Sequence, residues 1–439
     1  MSSTYHLDPG GDDDAAGTTP ARAWRTLRRL SAAELRPGDR VLLRAGARFA
    51  GPLTLRVAGG GDAERPVVVG ASGPGRATID AGDGFGVYAQ DAGGITLRDL
   101  EVVGSGSARN RSSGVMFHTT AGARSTLRGV RVERLEVHGF GRWGLSVGAE
   151  GDAGYAGVAL RRINAHDNGR GGVLTYGQRR NQHRDVRVEH CAAYANRGEP
   201  GLRENSGSGI ALGNVDGGVI RRCTTYDNGG ANDFEEGGIG IWAYDSRGLL
   251  IERNVSYDNR TGGPSDGGGF DLDQNVSDSV LQDNVSHDND GAGYLIYHGP
   301  DTAAHSGNVV RRNVSRLDGR RNGYGGIRVG GRNPGLLVSR NYVEIGRSDH
   351  GTPAALQLWT EHSGGYEGVT VRDNRFVARD GARLVDNLAA ARIAGRGVRL
   401  ERNSYEPRGT QELIVWGGRR FLDLGEWRRA TGQERRGRR

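Results

Sequence analysis

The chain contains no lysine, so all 59 of its basic residues are arginine. That absence excludes Schiff-base chemistry and any elimination in which a lysine takes the proton, because a guanidinium holds its proton too tightly to serve readily as a base. Two cysteines, Cys191 and Cys223, are too few for a disulfide framework or a metal knuckle. Prolines number only 12, and the 76 glycines follow no collagen-like triplet period. No apolar run reaches the roughly 18 residues of a membrane-spanning helix, so no membrane partner is expected. The formal charge of +7 does not concentrate anywhere except in the tail Arg435-Arg436-Gly437-Arg438-Arg439. Elsewhere arginine alternates with acid, as on a solvated face, and nucleic acid binding is not expected. Nothing in the opening residues resembles a signal peptide. The sequence as it stands is expected to be cytoplasmic, or secreted if a leader has been removed.

What is present is repetition. Short runs that open on glycine recur every 24 to 37 residues, among them Gly86-Val87-Tyr88, Gly172-Val173-Leu174, Gly240-Ile241-Trp242, Gly269-Phe270-Asp271 and Gly326-Ile327-Arg328. Within each run an apolar residue alternates with an outward one, the period of two of a β-strand. A repeat of this length built from strands predicts a β-solenoid. A second column sets the register. A strand resembling Leu249-Leu250-Ile251-Glu252-Arg253-Asn254 ends, coil after coil, on Ile163, Cys191, Cys223, Asn254, Asn284, Asn313, Asn341, Asn374 and Asn403. Asparagines stacked at one turn satisfy each other's polar groups, and the two cysteines at the same position read as buried space-fillers.

Ahead of the repeats, Trp24, Leu27, Leu30 and Leu35 have near-helical spacing and predict a capping helix over 21–35, ended by Pro37-Gly38-Asp39. Asp12, Asp13 and Asp14 read as a solvated loop rather than a calcium site. The expected organisation is a strand and capping helix over 1–50, the solenoid over 51–410, a C-terminal cap over 411–432 and a disordered basic tail over 433–439. The cap is carried by the helical run Phe421–Thr431.

The coil pattern, the asparagine ladder and the Pro-Gly-Asp of the N-terminal cap resemble the right-handed parallel β-helix (pectate-lyase-like) superfamily over nearly the whole chain. Gly240–Tyr297 looks like the bacterial β-helix repeat proteins found among polysaccharide lyases and glycoside hydrolases. The fold this implies is all-β, a right-handed parallel β-helix of about ten to twelve coils. The same scaffold hosts several chemistries. Neither a polygalacturonase-like Asn-Thr-Asp with Gly-His-Gly nor the calcium-and-lysine lyase pattern is present.

Function is read from the outward residues of the first strand of each coil. These include Met116, Leu174, Tyr176, Trp242, Tyr244, Leu295, Tyr297, Gln357 and Trp359, too apolar for a solvated face and expected to line a binding groove. Asp271 and Asp273 fall in the middle, two apart on one strand face and therefore roughly 6.6 Å apart along it. Trp242 and Leu295 should flank Asp271 and raise its pKa, while hydroxyls of Tyr244 and Tyr297 should hold Asp273 ionised. Two carboxyls so separated suit an acid and a base or nucleophile. His298 is a candidate proton donor and Arg328 a candidate for binding a carboxylate or polarising a carbonyl. His287 reads as a structural turn residue. Calcium is the rival use of the acids, with Asp271, Asp273, Glu235, Glu236 or Asp245 as oxygen ligands, and no other cofactor is called for.

The expected function is that of a monomeric carbohydrate-active enzyme, a hydrolase or a lyase, that cleaves a glycan. The alternative is a biosynthetic cyclase or isomerase that orients a hydrophobic small molecule in the same groove. A third reading is a glycan binder without turnover.

Overall fold

The computed structural model describes residues 2–122, 125–299, 305–409 and 412–434. The basic tail from 435 onward lies outside them. The chain divides into two compact units, Met1–Glu199 with Gly209–Val219, and Pro200–Ser208 with Ile220–Arg439. Among the described residues no helix is long and apolar enough to cross a membrane.

Each unit is wound from short strands that pair in parallel with their counterparts one coil away. In the first unit, Leu53–Val57, Val87–Gln90, Val115–Thr119, Trp143–Ala149 and Gly171–Tyr176 form successive rungs of one sheet. In the second unit the corresponding rungs are Ile241–Tyr244, Phe270–Leu272, Tyr294–His298, Ile327–Gly331, Ala354–Trp359, Arg383–Asn387 and Ile414–Trp416. The antiparallel strand Arg419–Phe421 ends that sheet. Inward positions of these rungs, such as Ile241, Phe270, Tyr294, Ile327 and Leu356, are fully buried. Burying an aliphatic or phenylalanine side chain contributes about 1.5–3 kcal/mol, so the alternation read from the sequence is also what holds the coil closed.

About 13 turns are present, slightly more than the ten to twelve expected. Pairing begins ahead of residue 51: Thr4–Leu7 lies on Arg40–Arg44, which lies on Val67–Ser72. The segment before the repeats therefore contributes rungs of its own. Its helix is shorter than the expected 21–35. A 3-10 turn covers Pro20–Arg22, the α-helix only Leu27–Ser31, and Glu34–Leu35 pairs as a strand with Arg56 and Val57. Leu27, Leu30 and Leu35 are all buried, but strand pairing takes the last of them. Asp13 anchors the start of this helix, accepting from the hydroxyl (2.6 Å) and N–H (2.9 Å) of Thr26, the residue that caps it.

The asparagine ladder is continuous in the second unit. The side-chain amide of Asn254 donates to Asn284 Oδ1 (3.0 Å), Asn284 to Asn313 (3.1 Å), Asn313 to Asn341 (3.1 Å), Asn341 to Asn374 (2.9 Å) and Asn374 to Asn403 (2.9 Å). Asn403 donates to Glu434 Oε1 at 2.7 Å, so a carboxylate from beyond the C-terminal helix Leu424–Thr431 receives the last amide. The residue before each asparagine, such as Arg253, Asp283 or Arg312, is left-handed, with φ between 54° and 57°. That conformation costs a non-glycine residue roughly 1–2 kcal/mol. The ladder offsets it by satisfying the turn's backbone: Asn284 Oδ1 also accepts the N–H of Asn254, and Asn284 Nδ2 reaches the carbonyl of Ile251. A second ladder, unforeseen in the sequence, runs Asn228–Asn259–Asn289 and ends on Asp318, at 2.9, 2.9 and 2.7 Å. Cys191 and Cys223 are both buried and unoxidised, one in each unit.

Candidate active site

The second unit contains a pocket of about 300 Å³ whose floor is the outward face of the rungs described above. Trp242, Asp271, Leu295, Arg328 and Gln357 occupy one column, in register rung by rung. Four of them line the pocket, together with Asp273, Gln274, Tyr297 and Trp359 of the next outward positions and turns. Its wall comes from the segments that precede each strand: Asn205, Glu236, Ile239, Ser265, Asp266 and Tyr324.

Asp271 is 5% exposed, and its Oδ1 has no hydrogen-bond partner. The indole Nε1 of Trp242, on the adjacent rung, is likewise buried without a partner. A buried polar atom left unpaired is costly, of the order of 1–3 kcal/mol, and such atoms in a cavity mark where a ligand's groups are accommodated. Burial, then the charges of Asp273 and Asp266, push the Asp271 carboxyl well above the usual carboxylate range. Asp273 is raised to about 7 by burial, with Glu236 and Asp245 adding to it against one backbone N–H from Gln274. The expectation that tyrosine hydroxyls keep Asp273 ionised is therefore corrected. Burial sets its pKa first, and the carboxyls of Glu236 and Asp245 raise it further. Asp266 is also raised to about 7, by burial first and then by Asp273 and Glu236, although the N–H of Gly237 donates to its Oδ2 at 3.1 Å. The site is thus a cluster of three carboxyls, all raised above the usual carboxylate range, rather than an isolated pair.

Arg328 is the cation of the pocket. Its Nη1 donates to Gln357 Oε1 at 2.7 Å, and its guanidinium lies 3.7 Å from the ring centre of Tyr324. Burial lowers its pKa, opposed by Tyr324 and Asp266. Gln357, expected to contact substrate, is 4% exposed and instead holds this guanidinium in place. Tyr297 and Trp359 stack at 5.9 Å with planes 3° apart across Gly330, the intervening rung. A Cβ on Gly330 would come within 3.0 Å of both rings, so only glycine leaves room for the pair.

Other sequence candidates lie elsewhere. His298 is 4% exposed, shares the inward parity of Tyr294 and Ile296, and stacks on His305 at 5.2 Å, so it does not line the pocket. His305 itself is pushed down to about 3 by burial and then by His298. Tyr244 packs beside Trp242, ring centres 5.1 Å apart, outside the lining. Met116, Leu174 and Tyr176 belong to the first unit, where Tyr176 bonds His118 Nδ1 at 2.9 Å. Glu235 is exposed and presents its backbone carbonyl to the Ser265 hydroxyl. For calcium, no three of the acids Asp271, Asp273, Glu235, Glu236 and Asp245 bring carboxylate oxygens within 4.8 Å of one another; among the described residues the one group of potential ligands at that spacing lies in the first unit and holds a single carboxylate beside two histidines.

Asp266, Tyr324 and Asn205 were not singled out from the sequence, and Glu236 only as a calcium ligand. A signal existed: each stands within four residues of the glycine that opens a first-sheet strand, in Asn205–Gly209, Glu236–Gly240, Asp266–Gly269 and Tyr324–Gly326.

Residues 151–343 match the family model described as a right-handed β-helix region. The chain is a right-handed parallel β-helix. No curated protein matches this β-helix in sequence. Among solved structures it is similar to the GH136 lacto-N-biosidase from Eubacterium ramulus (TM-score 0.62, 18% identity), over 78% of this chain and 64% of that one. The β-helix thus spans less than two thirds of that protein's length. It is also similar to the A-module of the Azotobacter vinelandii mannuronan C-5 epimerase AlgE4 (TM-score 0.50, 17% identity, 86% of this chain and 89% of that one). A third similar structure is XylC in complex with xylose (TM-score 0.52, 9% identity, 94% and 86%). At these identities the likeness speaks for the fold.

Proposed function

We propose that this β-helix is a carbohydrate-active enzyme that cleaves a glycosidic bond by carboxyl acid and base chemistry in the pocket around Asp271. The observation that carries the reading is the buried carboxyl of Asp271, unpartnered at Oδ1, beside an unpartnered indole N–H and two further carboxyls raised to about 7. A carboxyl that keeps its proton near neutrality can donate it to a leaving oxygen, and Asp273, one residue past the end of the strand that carries Asp271, takes the complementary role of base or nucleophile. The stacked pair Tyr297 and Trp359 offers a flat apolar edge for a sugar ring, and Arg328, held by Gln357 and Tyr324, supplies a fixed donor.

Hydrolysis fits this pocket better than elimination. An elimination substrate carries a uronate carboxylate, and here Asp266, Asp271, Asp273 and Glu236 face a single guanidinium. The names of the similar structures, a lacto-N-biosidase among them, agree with a glycan substrate. The pocket's volume, about 300 Å³, also favours one sugar-sized group over a long polymer track, and it keeps open a second reading, a cyclase or isomerase of a small molecule.

The test is digestion of a panel of neutral, amino and acidic oligosaccharides, with new reducing ends and unsaturated-uronate absorbance read together, beside Asp271→Asn. Reducing ends without absorbance, abolished in the variant, are expected. Absorbance with the reducing ends would make it a lyase, and silence across the panel would move the assignment to the small-molecule reading.

A further inference from the structure

A second constellation lies in the first unit, on the outward side of the other sheet. His138 and His166 are register partners on adjacent rungs, and their rings stack at 4.8 Å with planes 6° apart. Tyr194 stacks on the far side of His166 at 4.7 Å. The carboxylate of Glu136 completes a group in which one atom from each of Glu136, His138 and His166 lies within 4.8 Å of the others.

The hydrogen bonding gives these groups a direction. Nδ1 of His166 lies 2.7 Å from Asp167 Oδ2, which fixes the proton on Nδ1 and leaves the lone pair on Nε2. Nε2 of His166 faces Glu136 Oε1 at 3.4 Å, on the side of the ring away from Asp167. One rung away, His138 Nε2 lies 3.4 Å from Glu101 Oε1, the imidazole as donor. Both carboxylates are held from behind: Glu136 through its other oxygen by Arg76, and Glu101 by the hydroxyl of Thr78 at 2.6 Å. Imidazole and carboxylate ligands about 2.0–2.1 Å from a tetrahedral zinc ion stand about 3.4 Å apart, the separation seen in both pairs.

We propose that Nε2 of His138, Nε2 of His166 and the carboxylate of Glu136, with Glu101 as the fourth ligand, bind a divalent transition metal of the zinc class. Binding turns the two rings toward each other and closes their nitrogens around the ion. Asp167 acts behind His166 as a positioning residue. The site ties neighbouring coils of the first unit together and takes no part in the pocket chemistry.

The experiment uses the full chain without a polyhistidine tag, stripped with chelator and titrated with zinc chloride by calorimetry, with cobalt(II) absorbance as a second readout. One saturable zinc per chain is expected, with the intense visible bands of tetrahedral cobalt. His138→Gln and His166→Gln should each weaken binding at least tenfold. Glu136→Gln, which leaves the ring stack in place, should do the same, and Asp167→Asn should weaken it about tenfold. His287→Gln is the control, since His287 has the same neighbouring aspartate, Asp288 at 2.9 Å, in the second unit. Absence of saturable uptake in the unaltered chain would overturn the proposal and leave a second proton on each ring as what balances the glutamates. Uptake that survives Glu136→Gln and both histidine changes would overturn it equally.

Discussion

Trp242 and Asp271 are neighbours in register on adjacent rungs, and each turns a buried, unpartnered polar atom, an indole N–H and a carboxyl oxygen, toward the same pocket. One is a donor and the other, when ionised, an acceptor, so a ligand hydroxyl could satisfy both. The fold tolerates this pair because the inward residues on either side, Ile241, Phe270 and Leu272, are fully buried and close-packed.

Replacing Asp271 by Asn should separate function from stability. Activity should fall by a factor of roughly 10² to 10⁴, the worth of a general acid. Stability should rise at pH 8 and change little at pH 4. The native pKa is raised, so the group binds a proton on folding and its penalty grows as pH climbs from about 3.8 upward. Thermal melts of both proteins across pH 4–8 check this; a variant that melts lower at pH 8 would contradict it.

The acid limb of the pH profile should lie near pH 7, where Asp273 gives up its proton and becomes the base or nucleophile. Asp266→Asn removes one negative neighbour and should shift that limb toward acid. Initial rates from pH 5 to 9 for the two proteins decide, and an unmoved limb would place Asp266 outside the titrating cluster.

Asp318 is a fold-level counterpart. It is 1% exposed, ends the second asparagine ladder and has a pKa raised to about 6 by burial, against hydrogen bonds from Ser315 and Asn289. Between about 3.8 and 6 the folded chain keeps a proton that the unfolded chain loses, so stability falls by about 2–3 kcal/mol across that window. Asp318→Asn, which repeats the residue found at Asn259 and Asn289, should raise the melting temperature at pH 7 and leave it unchanged at pH 3.5.

Asn313→Ala breaks the first ladder at its centre. Asn313 accepts from the N–H and side chain of Asn284 and donates to Leu281 and Asn341. Several buried groups lose their partner at once, at about 1–3 kcal/mol each, so a loss of at least about 3 kcal/mol in denaturant unfolding is expected. The same change at exposed Leu422 should cost far less.

The ladder and the strand register were readable in the sequence because stacking places like residues on like, and a column of asparagine is visible once the coils are aligned. Asp271 between Trp242 and Leu295 followed from the same alignment. Asp266 and Tyr324 did not, since they sit in connections whose lengths vary from coil to coil and no periodicity reaches them. The ionisation of Asp273 was misjudged for a related reason: it depends first on its burial and then on Glu236 and Asp245, charges outside its own strand. His298 was misplaced by one position of parity, which on a strand is the difference between pocket and interior. Leu35 was assigned to a helix because three apolar positions fit both a short helix and the strand that follows it.

The closing bond from Asn403 to Glu434 has an electrostatic meaning. From Asn254 onward every side-chain amide in the row points its N–H the same way, so the small dipoles add along the solenoid axis as peptide dipoles add along a helix. The positive end of that row lies at Asn403, and Glu434 meets it with a carboxylate. The last turn of the protein is in this sense a capping box built from side chains, and removing it would uncover a partial positive charge at the foot of the stack.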